Sequence, residues 1–237
     1  MINTYNETSL HKKIKEIYAT EFNGKTEQKI NNYIYDVITE DNSVIEIQTS
    51  NISALKKKIE FCIKNDLKIK IVHPITEEKY IELYNKEGIL ISRRKSPKKE
   101  NIYSILRKLT GIYNFLLNQN FTLEVIFVSI VEKRLQTKEK SQLKNKSRKY
   151  LKNWIPIDKL LISVNSKRTL QSYYDYKTLL PLALKSPFTS QQLKKELQKE
   201  VNKTTGNTYR ILIWMLKKLE IISEIGKQGR NKLYQIN

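Results

Sequence analysis

The longest apolar run in this chain, about Leu123 to Val131, is broken by Glu124 and Ser129. A bilayer-spanning helix needs roughly 20 apolar residues, so the sequence predicts none. Met1 to Lys13 lacks the apolar core of a signal peptide. Apolar groups must therefore be buried by short strands and one-sided helices, and the expected location is cytoplasmic. At 237 residues the chain suits one large domain or two small ones. Cys62 is the sole cysteine, which excludes intrachain disulfides and cysteine-based zinc sites. The only imidazoles are His11 and His73, so a metal site must lean on carboxylates.

The first half alternates between helical and strand patterns. Leu10, Ile14, Ile17 and Tyr18 recur at helical spacing and predict a helix over about 5–22, with Thr4 and Glu7 at capping-box spacing. Tyr33–Thr39 and Val44–Thr49 read as strands around the turn Glu40-Asp41-Asn42-Ser43. Asn51 is placed to cap a helix with Ile52, Leu55, Ile59, Cys62 and Ile63 on one face. Leu67–Val72 reads as a strand ended by His73-Pro74, and Tyr80–Tyr84 with Ile89–Ser92 as a β pair. A helix over Ile102–Leu117 and a strand over Leu123–Val131 complete an α/β pattern: a mixed sheet flanked by helices across 1–135. Residues 136–150 are basic and nearly devoid of apolar groups, and Trp154–Val164 recovers apolar character. Together they predict a basic connector with a short docking segment over 136–175.

Charge divides the chain. Of a net +20, residues 1–135 carry 22 basic and 17 acidic side chains, and 136–237 carry 22 basic and 7 acidic. A concentrated positive field points to a polyanionic partner. Residues 176–237 read as helix (Tyr176–Leu184), a capping box at Thr189 and Gln192, helix, polar turn (202–206), helix (Tyr209–Leu219) and two strands, Ile221–Ile225 and Lys232–Ile236. This order resembles a winged helix-turn-helix. The resemblance implies duplex DNA as partner, with Lys203, Thr204, Thr205, Asn207, Tyr209 and Arg210 at the base edges. Lys227, Arg230 and Lys232 would form a phosphate-binding wing. Tyr209, beside the apolar face, is alternatively a core residue.

The hairpin carries polar residues where a buried strand should be apolar: Asp36 on its first strand, Glu46 and Gln48 on its second. Two neighbouring carboxylates repel unless a cation lies between them. The pattern Asp36, then Glu46-Ile47-Gln48, then a helix resembles the PD-(D/E)xK nuclease superfamily. Tyr35 stands where proline is common in that family, and Gln48 stands where it has lysine. The resemblance implies a restriction-endonuclease-like fold and Mg²⁺ (or Mn²⁺) held by Asp36, Glu46 and the Ile47 carbonyl. It also implies assistance from Glu7 on the preceding helix, and hydrolysis of phosphodiesters with Gln48 orienting the water. Lys56, Lys57, Lys58 or Lys70 are candidates to supply the missing cation. Glu7 has an alternative role as a cap.

Register is decisive. An even loop centred on Asp41-Asn42 would put Asp36 and Glu46 on opposite faces, whereas an odd loop would pair them. Arg93, Arg94 and Lys95 read as a basic loop able to grip phosphates beside the site. Duplex cutters of this kind often act as dimers, so a homodimer is compatible with the pattern. No Gly-rich phosphate loop, HExxH or nucleophile elbow points to a small-molecule cofactor. The rival reading is a non-catalytic DNA-binding regulator whose nuclease-like domain is inactive.

Overall fold

A computed structural model of the chain describes residues 7–143, 146, 148–201 and 206–237. Helix α1 (Ser9–Glu21) is followed by strands β1 (Lys25–Ile30), β2 (Tyr33–Ile38) and β3 (Val44–Ile47). A 3-10 turn (Ile52–Leu55) leads into α2 (Lys56–Lys64), then β4 (Ile69–Tyr84), β5 (Leu90–Lys95), α3 (Leu106–Leu109) and β6 (Phe121–Ser141). Next come β7 (Lys152–Leu170), α4 (Tyr173–Lys177), β8 (Phe188–Thr189), α5 (Ser190–Glu200), α6 (Thr208–Lys218), β9 (Ile222–Gln228) and β10 (Asn231–Ile236). The large sheet has seven strands in the order β1-β2-β3-β4-β6-β7, with β5 also on β4. β3, β4 and β6 run parallel and the other pairs antiparallel, so the expected α/β class with a mixed sheet flanked by helices holds.

Each face is closed by residues at the spacing their element requires. Leu10, Ile14 and Tyr18 of α1 pack on Val37, Ile45, Ile47, Val72 and Ile126. The opposite face packs Ile59 and Cys62 of α2 with Val44, Ile69 and Ile71, and this cluster continues into Leu193 of α5 and Leu212, Met215 and Leu216 of α6. The C-terminal unit is thus docked on the sheet domain, with the Tyr113 and Trp214 rings edge to face at 5.3 Å. It has its own sheet, β8-β10-β9. The capping box at Thr189 and Gln192 opens α5 with both hydrogen bonds made.

Several expectations are corrected. The cap of α1 is Thr8, whose hydroxyl accepts from the His11 N–H; Thr4 lies outside the described residues, and Glu7 is free for other work. No element was expected over β1, a strand too polar to announce itself. β4 does not stop at His73-Pro74. Val72 and Pro74 face the β3 side of the strand, since Gln48 N–H donates to the Val72 carbonyl at 2.9 Å. The N–H that proline lacks therefore points where β3 has already ended, which is where a strand tolerates proline.

The expected helix Ile102–Leu117 is broken into a 3-10 turn, the single turn of α3 and a second 3-10 turn (Tyr113–Phe115). Residues 136–141 are no connector: β6 runs through them, pairs with β7 as far as Ser141 and Lys152, and extends the sheet domain to Leu170. The helix expected over Tyr176–Leu184 is instead the short α4.

Gly111 marks the break after α3. A Cβ there would stand 2.5 Å from Ser53 Oγ and 2.8 Å from Ser53 Cβ. Gly111→Ala should therefore cost about 1–3 kcal/mol by overpacking, read as a lower urea midpoint with an unchanged slope.

Candidate active site

The loop between β2 and β3 fixes the site. Thr39 N–H donates to the Ser43 carbonyl at 3.0 Å, which leaves the odd loop Glu40-Asp41-Asn42, with Asn42 in the left-handed region at φ 59°. Asn tolerates this conformation better than most side chains. Val37 then faces Ile45 and Ile38 faces Val44, and one step further along this register Asp36 falls opposite Glu46. There the ladder opens. Ile47 N–H is taken by Asp36 Oδ2 at 2.8 Å. Tyr35 joins the α2-side core while Val37 joins the α1-side core, so β2 twists at Asp36.

Around this opening charged side chains pair in series. Lys15 of α1 bridges Glu27 at 2.5 Å and Glu7 at 2.8 Å. His11, one turn before Lys15, meets Glu7 through Nδ1 at 2.5 Å and Asp36 Oδ2 through Nε2 at 3.3 Å. Lys58 of α2 donates to Glu46 Oε1 at 2.7 Å and to the Ile34 carbonyl at 2.6 Å. Four carboxylates and three cations thus form two runs of ion pairs, Glu27–Lys15–Glu7–His11–Asp36 and Glu46–Lys58, which meet where the two like charges Asp36 and Glu46 face each other.

The local fields follow. Burial would lower the His11 pKa, but Asp36 and then Glu7 outweigh it and raise it to about 9, so the ring is an imidazolium at neutral pH. Burial would raise the Glu7 pKa, but Lys15 and His11 hold it below its ordinary value. Glu46 is 4% exposed. Its burial, and then the Asp36 charge, push its pKa up to about 7 against the pull of Lys58 and the Asp36 backbone. This carboxyl is poised to exchange a proton near neutrality.

Sequence reasoning placed Glu7, Asp36 and Glu46 together, and the structure brings them onto these runs. His11, a turn after Glu7 and by sequence either within reach of the metal or a surface residue, stands between Glu7 and Asp36. Sequence reasoning missed Lys15, although its spacing of eight residues from Glu7 puts it on the same face of α1. Lys58 is the one of the four candidate lysines that reaches Glu46. The Gln48 carboxamide oxygen is committed locally, accepting from Ser50 N–H and Oγ at 3.3 and 3.2 Å. The Gln48 backbone carbonyl accepts from His73 Nδ1.

The outlying candidates fall as follows. Arg93, Arg94 and Lys95 are not a loop beside the pair. They lie on edge strand β5, opposite Tyr80–Glu82, about 26 Å along β4 from Val72. Glu82 and Glu78 engage Arg93 and Lys95 there, and such charges suit an unpaired sheet edge. Lys203, Thr204 and Thr205 lie outside the described residues. Asn207 occupies the N-cap position of α6 without a side-chain cap bond. Tyr209 is 7% exposed and belongs to the core, its hydroxyl accepting from Arg210 Nε at 3.0 Å. Lys227 and Arg230 are exposed at the β9–β10 turn, and Lys232 pairs with Glu224 at 3.0 Å.

Among the described residues no three His, Cys, Asp or Glu side chains gather as a metal cluster. Mg²⁺ is commonly held by only one or two carboxylates together with water and substrate phosphate. Asp36, Glu46 and a backbone carbonyl are a donor set of that hard, oxygen-only kind. Asp36 Oδ1 accepts no hydrogen bond among the described residues.

The fold and site define an α/β protein with a buried, cation-clamped carboxylate pair at the open end of a β hairpin. The chain belongs to the family of the domain of unknown function DUF8091, whose model matches residues 8–171. That span is the large sheet with α1, α2 and α3. The chain is also similar to an uncharacterized protein of Treponema pallidum (strain Nichols), 25% identical over 234 residues, covering 99% of this chain and 87% of that protein. No solved structure matches it.

The raised His11 pKa makes a signed prediction. A base whose pKa is raised on folding contributes stability fully below its unfolded value, near 6.5, and loses it as pH rises through about 9. His11→Ala should lower the melting temperature clearly at pH 6.5 and much less at pH 10. An equal loss at both would mean that the ring acts through packing alone.

Proposed function

We propose that the protein is a metal-dependent deoxyribonuclease of the PD-(D/E)xK kind, placed on duplex DNA by a C-terminal winged helix. The observation that carries this reading is the Asp36–Glu46 pair: two carboxylates held at neighbouring positions, one of them almost fully buried, despite their repulsion. A fold does not keep such a pair for stability, because burying charge is costly.

The Asp36 and Glu46 carboxylates, with the Ile47 carbonyl, would hold Mg²⁺ or Mn²⁺. That ion, when bound, polarises a phosphodiester and acidifies a water. The residues of the chain do the rest. Asp36 is oriented by the Ile47 N–H and by His11. Glu7 acts through His11 rather than as a ligand. Lys58 supplies from α2 the ammonium that Gln48 cannot, beside Glu46; there it offsets negative charge as the 3′ oxygen leaves. The order of β2, β3 and α2 is the one this superfamily pattern requires.

The C-terminal unit supports a DNA partner. α5 and α6, followed by the β9–β10 hairpin, follow winged-helix order. Asn207 and Arg210 at the start of α6 share a cleft of about 790 Å³ with Lys98, Arg107 and Lys194, so basic groups of both units face one space. The locally committed Gln48 favours the second reading, a DNA-binding regulator without catalysis.

The test is cleavage of plasmid and short duplex DNA with Mg²⁺ or Mn²⁺ against EDTA. The expected outcome is metal-dependent cutting, abolished by Asp36→Ala with Glu46→Ala and reduced about 10²–10³-fold by Lys58→Ala. Tight, salt-sensitive binding without cutting in any of these proteins would establish the regulator instead. Replacing Lys227 and Arg230 by Ala should weaken binding about equally on all sequences and lower the salt slope by about 2.

A further inference from the structure

A second polar pocket opens where β3 ends. Its volume is about 300 Å³, and it is lined by four lysines against two glutamates, with Thr49, Leu10 and Pro74 among the other walls. The acids are already engaged: Glu132 by Lys79 at 2.9 Å and Arg134 at 2.5 Å, Glu100 by Thr76 N–H at 3.4 Å and Lys98 at 3.8 Å. Lys108 and Lys159 have no carboxylate within 4 Å among the described residues. The pocket is therefore net positive and holds two ammonium groups that no carboxylate contacts directly among the described residues.

Lys108 is not a loose surface lysine. Its Nζ donates to His73 Nε2 at 2.8 Å, and His73 Nδ1 donates to the Gln48 carbonyl. The carbonyl fixes the tautomer, since only a protonated Nδ1 can serve it, and that leaves Nε2 as the acceptor for the ammonium. His73 is fully buried. Its burial, and then Lys108, lower its pKa to about 4, so it is neutral. Burial, together with the nearby Lys159 and Lys98 charges, lowers the Lys108 pKa against the opposing Glu100. The lysines are crowded enough to feel one another. Thr49 is three residues beyond Glu46, so the pocket wall starts within about 11 Å of the carboxylate pair, a few nucleotide steps at roughly 3.4 Å of rise each.

We infer that this pocket is a phosphate subsite: Lys108, Lys98 and Lys159 take a backbone phosphate of the nucleic-acid strand a few nucleotides from the scissile one, and His73 is the positioning residue that aims Lys108. The inference rests on the nuclease reading for the word scissile, whereas the subsite itself requires only a nucleic-acid strand. It gives His73-Pro74 and the backbone of Gln48 a function, and it predicts that the substrate runs from the carboxylate pair toward β7.

The experiment uses the full chain and a fluorescent 30-base-pair duplex, with binding followed by anisotropy across a salt series. Lys108→Gln with Lys159→Gln should weaken binding about tenfold and lower the slope of log K against log salt by about 1, one phosphate contact, with the melting temperature unchanged. His73→Leu should reproduce the change. His73→Gln, whose amide can donate to the Gln48 carbonyl and accept from Lys108, should restore the wild-type slope, which a merely structural role would not require. An unchanged slope in the double variant overturns the subsite. So does binding of inorganic phosphate that Lys108→Gln abolishes while the duplex slope stays the same, because the pocket would then serve a free phosphate compound. No binding of the duplex by the wild-type protein overturns it as well.

The two readings fail separately. Metal-dependent cutting with an unchanged slope leaves the nuclease without this subsite. A lowered slope without cutting leaves the subsite without the nuclease.

Discussion

The charged cluster that runs from Glu27 through Lys15, Glu7 and His11 to Asp36, and on the facing strand from Glu46 to Lys58, is the constraint on which the sheet domain turns. It ties α1 to β1 and β2, and β3 to α2, at the point where the β2–β3 ladder opens. Each member is partly or fully withdrawn from water, so removing one leaves its neighbour a buried charge without a partner, and that loss is far larger than the gain from making the pair. The two apolar clusters close the faces of the sheet and hold its layers together. The charges decide how the hairpin end is held, and with it where the Asp36 and Glu46 carboxylates point.

Burial and polarity compete at the same strand. Glu46 lies between Ile45 and Ile47, both core residues, and is itself buried. The protein resolves this by twisting β2 at Asp36, whose carboxylate takes a β3 N–H, and by sending Lys58 in from the helix that follows. The position of that lysine is coupled to the helix start: Asn51 accepts from Ser53 N–H, the 3-10 turn follows, and α2 begins two residues before Lys58.

Much of this was legible in the residues because it depends on local rules. The helical spacing of Leu10, Ile14 and Tyr18, the turn chemistry around Asp41, the Thr189–Gln192 box and the apolar face of α6 each specify their own element. The register of the hairpin was legible only as a choice between odd and even loops, since a left-handed Asn42 is a backbone fact that composition does not fix. What stayed hidden depends on contacts distant in sequence. β1 is a polar edge strand held by β2. The ends of β6 and β7 carry lysines and glutamates that look like linker until paired. His73 reads as a strand terminator unless one knows that Gln48 and Lys108 flank it. Ile102–Leu117 has helical periodicity, but the Ser53 side chain pressing on Gly111 belongs to another segment.

β4 is read by two partners on one edge: β3 along Ile69–Val72 and β5 along Tyr80–Tyr84, with Ser96 and Glu100 bonding to Lys79 and Thr76 in the gap between. These pairings differ greatly in the length of chain they close. The β4–β5 hairpin is local, whereas β4 meets β6 across some fifty residues, Ile69 opposite Phe121. Loop closure of that length must be met before parallel pairing returns any energy. The local hairpins, β2–β3 among them, therefore close at lower entropic cost than the parallel centre. The carboxylate pair sits on one of those local hairpins, but His11 and Lys58 reach it from helices on either face of the sheet, so the charged cluster is complete only when the whole domain is.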